Sequence, residues 1–107
     1  MTDGPVSFVL KQTFESLYKA TSIGDKSFRL VDSIIICNTA ATSRLVYLSI
    51  TDTPTNPIKG AIFYGLIIDA NETITLSSRR IILTEQVMAK ADVGGQVSIS
   101  FDVKPAA

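Results

Sequence analysis

Thirteen isoleucines, eleven threonines and eight valines stand among the 107 residues of this chain. A side chain branched at Cβ has few χ1 choices, which disfavours a helix and suits a pleated, half-buried surface. A chain this rich in such residues is constrained toward β structure. They also fall in short runs, separated by clusters of Gly, Pro, Asn, Asp and Ser that mark turns. The clearest run lies near the end. Val97, Ile99, Phe101 and Val103 alternate with Gln96, Ser98, Ser100 and Asp102, giving a strand with one apolar and one polar face.

The remaining runs are read in the same way. In residues 28–37, Phe28, Leu30, Asp32, Ile34 and Ile36 share one parity. The end of that run, Ile34-Ile35-Ile36-Cys37, is apolar on both parities, which predicts a central strand buried on both faces. Small and polar residues at 38–43 break it, and residues 44–50 resume as a strand, so the two read as a hairpin. Residues 51–60 carry Pro54 and Pro57 and read as a loop, because proline donates nothing to a ladder. A strand follows over 61–68, where Gly65 suggests a bulge or a close backbone approach. Residues 69–72 form a turn, 73–76 a short strand, and Ile81-Ile82-Leu83 another apolar run. Residues 84–91 contain good helix formers, yet their neighbours favour a strand running into Gly94-Gly95, read as a hairpin turn.

Near the start, residues 6–10 read as an edge strand or an extended arm. Phe14, Leu17 and Tyr18 have helical spacing, but residues 17–21 also read as a strand, favoured because Ser22 to Lys26 supplies a turn. The sum is seven or eight short strands. The expected fold is all-β: a single antiparallel β-sandwich, jelly-roll or immunoglobulin-like, filling one domain over 1–107. Residues 1–13 are also readable as an N-terminal arm and 104–107 as a short tail.

Ten basic and ten acidic residues leave no net charge. A neutral chain has little long-range pull on a phosphate backbone or an anionic bilayer, so neither nucleic acid nor membrane is expected as a partner. Neutrality also removes the repulsion that keeps small proteins apart, which favours assembly. The apolar runs are too short to span a bilayer. No basic stretch followed by a long apolar one opens the chain, so production in the cytoplasm without secretion is the expectation.

The chemistry of catalysis is thinly supplied. There is no His, no Trp and one Cys, which removes the commonest general base, the usual thiolate pair and a structural zinc set. No enzyme, cofactor or metal is expected. Cys37, at the end of an Ile run, reads as a small buried hydrophobe. The aspartates fall mostly in turns or at outward strand positions, and in turns they ordinarily bond their own backbone. Asp69-Ala70-Asn71-Glu72 offers oxygens without the glycine-bearing pattern of a calcium loop. Arg79-Arg80 lacks the basic and aromatic company of a nucleic-acid site and reads as a solvated turn or a salt-bridging rim. Surface contact is what remains. The candidate contact residues are Val6, Phe8 and Leu10 on the first strand or arm, the three tyrosines Tyr18, Tyr47 and Tyr64, and Arg79 and Arg80. A tyrosine can anchor an interface or simply pack with its hydroxyl at the rim. As a second reading, the tyrosines with Asp52 and Asn56 would form a carbohydrate-binding module.

The stretch Val31-Asp32-Ser33-Ile34-Ile35-Ile36-Cys37-Asn38-Thr39, followed by Arg44-Leu45-Val46-Tyr47-Leu48, resembles small β-sandwich virion proteins of tailed bacteriophages. Residues 67–76, a polar turn followed by a strand, and the closing Val97-Ser98-Ile99-Ser100 are similar to theirs. The chain departs from that pattern in its proline loop at 54–57 and in Arg79-Arg80. The resemblance implies a structural subunit of the phage particle, bound to the major capsid protein or another virion protein and assembled as a trimer or ring in the host cytoplasm. Capsid decoration (cement) is the favoured role, and a tail, neck, baseplate or fibre accessory role is the alternative. No catalytic residues come with it.

Overall fold

A computed structural model describes residues 4–19, 28–82 and 84–105. The turn expected at 22–26, Leu83 and the outermost residues of both ends lie outside the described residues. Nine strands follow in order: β1 (Gly4–Val9), β2 (Glu15–Lys19), β3 (Phe28–Asn38), β4 (Arg44–Thr51), β5 (Ala61–Ile68), β6 (Thr73–Leu76), β7 (Arg79–Ile82), β8 (Gln86–Ala91) and β9 (Val97–Pro105). Their number exceeds the expected seven or eight because one edge position is filled by two short strands. β6 pairs with one half of β3, β7 with the other, and both lie on the same side of it. The Ser77-Ser78 break between them falls opposite Asp32 and Ser33 of β3.

All pairings are antiparallel. One sheet runs β1-β9-β3 with β6 and β7 beyond, and the other runs β2-β8-β4-β5. Most connections carry the chain from one sheet to the other; among the described residues β4–β5 is the one hairpin between neighbours in a sheet. Counting β6 and β7 as one broken strand leaves eight strands wound alternately between two sheets, which is a jelly roll rather than an immunoglobulin-like sandwich. This corrects two expectations. β3 and β4 are not a hairpin: residues 39–43 arch between sheets. Gly94-Gly95 likewise lies in an arch, from β8 in one sheet to β9 in the other. A hairpin and an arch have similar lengths and turn residues, and only the partner of the next strand separates them.

Residues 6–10 were expected as an edge strand or arm; β1, residues 4–9, is a paired edge strand in register with Val103 to Ser98 of β9. Lys104 and Pro105, expected in a tail, extend β9 opposite Leu30 and Arg29.

The core comes from the inner faces of both sheets. Val97, Ile99, Phe101 and Val103 of β9 are all buried, as their alternation predicts, and pack with Ile81, Val46, Leu48, Ile68 and Val87. β3 departs from simple alternation. Its pairing with β9 shifts between Asp32 and Ile35, and Ser33 adopts φ 52 there, marking a bulge. The extra residue moves the inward face from Arg29 and Val31 to Ile34, Ile36 and Asn38, all of them buried. Ile35, on the other face, is 39% exposed and Cys37 is half-buried. β3 is therefore central but buried on one face only, and Cys37 is not a core residue. β2 has a similar shift between Ser16 and Tyr18, so the adjacent Leu17 and Tyr18 are both buried.

Candidate interaction surfaces

Three surfaces carry the residues expected to make contacts. The first is the outer face of the β2-β8-β4-β5 sheet. On β4, Val46 and Leu48 point into the core, so alternation turns Tyr47 outward. Tyr64 of β5 is its cross-strand partner, and the shift in pairing between Val46 and Tyr47 leaves Gly65 as the extra residue. Gly65 has φ +88 and sits over the Tyr47 ring, a backbone state that a side chain rarely adopts. This is the bulge suggested by the glycine, and it holds Tyr64 on the same face as Tyr47.

The two rings meet edge to face at 4.7 Å between centroids and 77° between planes, a favourable quadrupolar arrangement. Phe14, just before β2, completes the group at 6.3 Å from each tyrosine. Lys90 of β8 places Nζ 4.6 Å from the Tyr47 centroid and 5.1 Å from that of Phe14, within cation–π range of both. The cluster continues into solvent through Tyr64, 53% exposed, and Ile67, 62% exposed. Phe14, Lys90 and Ile67 were not among the expected contact residues. Ile67 was findable from its parity opposite to the buried Ile68; nothing local marks Phe14 or Lys90.

The second surface lies at the end of the sandwich where β5 begins. Arg79 and Arg80 are exposed on β7, and with Ile50, Gly60, Ala61, Ile62 and Glu85 they line a shallow depression of about 380 Å³. Glu85 accepts a hydrogen bond from the Ile82 amide at 2.8 Å. Close by, Lys59 pairs with Asp52 at 3.6 Å. The hydroxyl of Thr53, and then the Lys59 ammonium, hold the Asp52 carboxyl below its ordinary range.

The third surface is β1. Val6 and Phe8 are half-buried and pack against the core, Phe8 at 6.4 Å from Phe101. Leu10 is 1% exposed. Its backbone bonds Val97 and Gly95 at 2.7 and 3.0 Å, so it belongs to the core and not to a contact surface. Tyr18 at 0% exposure is likewise a core residue; the β2 shift turned it inward. The eight expected contact residues thus divide. Tyr47 and Tyr64 come together, Arg79 and Arg80 stay exposed elsewhere, Val6 and Phe8 flank the first sheet's edge, and Leu10 and Tyr18 are inside. The carbohydrate set divides too: Tyr18 is buried, and Asp52 and Asn56 lie on the loop beyond β4.

No family model matches the chain. No curated protein matches it in sequence. Solved structures do match in fold. A crystal structure of a pentameric capsid protein isolated from metagenomic phage sequences superposes with TM-score 0.53 at 12% identity, over 95% of this chain and 61% of that one. A second structure of such a protein, solved by iodide phasing, gives TM-score 0.52 at 11% identity, over 95% and 62%. This chain therefore spans about three-fifths of the length of those chains. At such identity the likeness establishes a shared fold.

Proposed function

We propose that this chain is a structural subunit of a tailed-phage virion that acts by protein contact, without catalysis, as a decoration subunit binding and stabilising the capsid. One observation carries the reading. The jelly roll is shared, over 95% of the chain, with a protein described as a pentameric phage capsid protein. The surface supports it. Its most distinctive feature is an exposed aromatic and aliphatic patch on a sheet face, the kind of surface that anchors protein interfaces. A neutral chain can be packed many times over a shell without accumulating repulsion. Weak contacts repeated by the symmetry of a particle give tight attachment through avidity.

The test is the composition of purified particles. Quantitative mass spectrometry of virions from the phage encoding the chain is expected to find it in many copies per particle. Heads separated from tails should retain it. Particles made without it should lose their genome at lower temperature or lower ionic strength than those that carry it. Recovery with the tails alone would move the subunit to a neck, tail or fibre role, and absence from every particle fraction would overturn the reading.

A further inference from the structure

Each sheet has two edges, and an edge strand offers unpaired backbone donors and acceptors to any other strand unless something blunts it. Three of the edges are blunted. β1 opens with Gly4-Pro5, and proline cannot donate. β2 has only five residues, with Glu15 and Lys19 at its ends. The β6/β7 edge is interrupted at residues 77–78 and carries Arg79 and Arg80. β5 differs. It runs Ala-Ile-Phe-Tyr-Gly-Leu-Ile-Ile, eight residues without a charge or a proline, and its pairing with β4 shifts register twice while continuing along its length. Among the described residues it pairs on one side only, with β4.

The geometry points to β5 as the strand through which two copies of this chain pair, antiparallel and about a two-fold axis, into one continuous eight-stranded sheet. The charges at its two ends argue for a second copy as the occupant. Where β5 begins, Lys59 and Asp52 neutralise one another, and Arg79 and Arg80 outnumber Glu85 around the adjoining depression. Where β5 ends, Asp69 and Glu72 are exposed, against Arg44, whose guanidinium is engaged with Gln96 Oε1 and the Ser43 carbonyl. Among the described residues, one end is net positive and the other net negative. Antiparallel pairing of two copies sets each positive end beside the negative end of the other, twice. Parallel pairing would set like beside like.

The faces match as well. With the axis between Gly65 and Leu66, outward-facing Tyr64 stands opposite Ile67 of the second copy, and Ile67 opposite its Tyr64. Antiparallel partners project to the same face, so the two aromatic patches join. Gly65 presents no side chain at the axis, where the two backbones approach. The inference concerns how the chain meets its own kind and stands whether or not the proposed particle role does.

Sedimentation velocity of the full chain over a concentration series is expected to show a dimer that dissociates on dilution. Ile67→Lys adds a charge to an exposed, outward position on the edge. It should raise the dissociation constant at least about tenfold, the loss of one buried aliphatic contact per chain, with unchanged circular dichroism. A cross-link supplies a second readout. In a Cys37→Ser background, Tyr64→Cys mixed with Ile67→Cys should form an intermolecular disulfide on oxidation, and neither variant alone should. A chain that stays monomeric, an oligomer untouched by Ile67→Lys, or a mixture that cross-links no more than its components would overturn the proposal. No particle enters these assays, so their failure is separable from that of the virion assay.

Discussion

Asn38 shows how much of a two-sheet fold can rest on one polar side chain. It is fully buried where β3 leaves its sheet. Its Nδ2 donates to the carbonyls of Thr42, Ile68 and Asp69 at 3.0, 3.0 and 3.1 Å, and its Oδ1 accepts from the Ala40 amide at 2.9 Å. The arch to β4 and the end of β5 are thereby tied to β3. Asn38→Ala strands several buried backbone groups and is expected to cost about 2–4 kcal/mol in urea unfolding. Asn38→Asp should cost more at pH 7, because a carboxylate cannot donate and its charge would be buried. Burial raises the folded-state pKa of the introduced carboxyl above its unfolded value. The deficit relative to Asn38→Ala should therefore shrink as pH falls through that raised pKa. A deficit that is flat or grows on acidification would remove the buried-charge account. Two glycines make a second comparison. At Gly60, φ +91, a Cβ would collide with the Ile50 carbonyl; at Gly65, φ +88, it would only touch the Tyr47 ring at 3.7 Å. Gly65→Ala should cost the left-handed strain alone, about 1–2 kcal/mol, and Gly60→Ala clearly more, read from denaturant midpoints.

At the scale of elements, bulges decide which residues face the core, and they separate what is legible in the sequence from what is not. β9 has no break in its inward face, and its strict alternation foretold four buried residues. On β4 the strand was legible, while the face of Tyr47 was left open between an interface anchor and a packed ring. β3 and β2 each contain an extra residue, and there alternation misleads. Arg29 and Val31 of one parity are buried together with Ile34 and Ile36 of the other, and Tyr18 is core rather than contact. A bulge depends on the partner strand, which lies far away in the sequence. Pairing itself is hidden for the same reason, so strands were legible one by one while the arches between sheets were not. One consequence sits beside the β3 bulge. Asp32 and Asp102 are direct cross-strand partners, a repulsive juxtaposition, and Lys104 bridges them at 3.2 and 3.7 Å. Lys104→Met should destabilise by roughly 0.5–1 kcal/mol, given the partial exposure of the groups. Adding Asp102→Asn should recover most of that loss in a double-mutant cycle. Independent, additive effects would show that the bridge does not offset the pair.

For the whole molecule, the decisive feature is that β9 lies between β1 and β3. The first strand and the third are in one sheet only because a late segment joins them. Such long-range pairing closes large loops before contacts reward it, so refolding is expected on a millisecond-to-second scale rather than in microseconds. It also makes the body indivisible. Removing residues 97–107 takes Val97, Ile99, Phe101 and Val103, each at most 3% exposed, and each worth roughly 1.5–3 kcal/mol when buried. That sum is comparable to the entire stability of a small domain. It would also deprive β1 of its sole partner among the described residues and leave one side of β3 unpaired. The shortened chain is therefore expected to lack a cooperative thermal transition. The vacated slot, flanked by two strands with open hydrogen-bonding edges, should accept a synthetic peptide of residues 96–105, restoring β-sheet ellipticity and a melting transition in proportion to peptide occupancy. A scrambled peptide of equal composition breaks the alternation and should do neither. Cooperative melting of the shortened chain by itself would show that β9 covers the sandwich without holding it together.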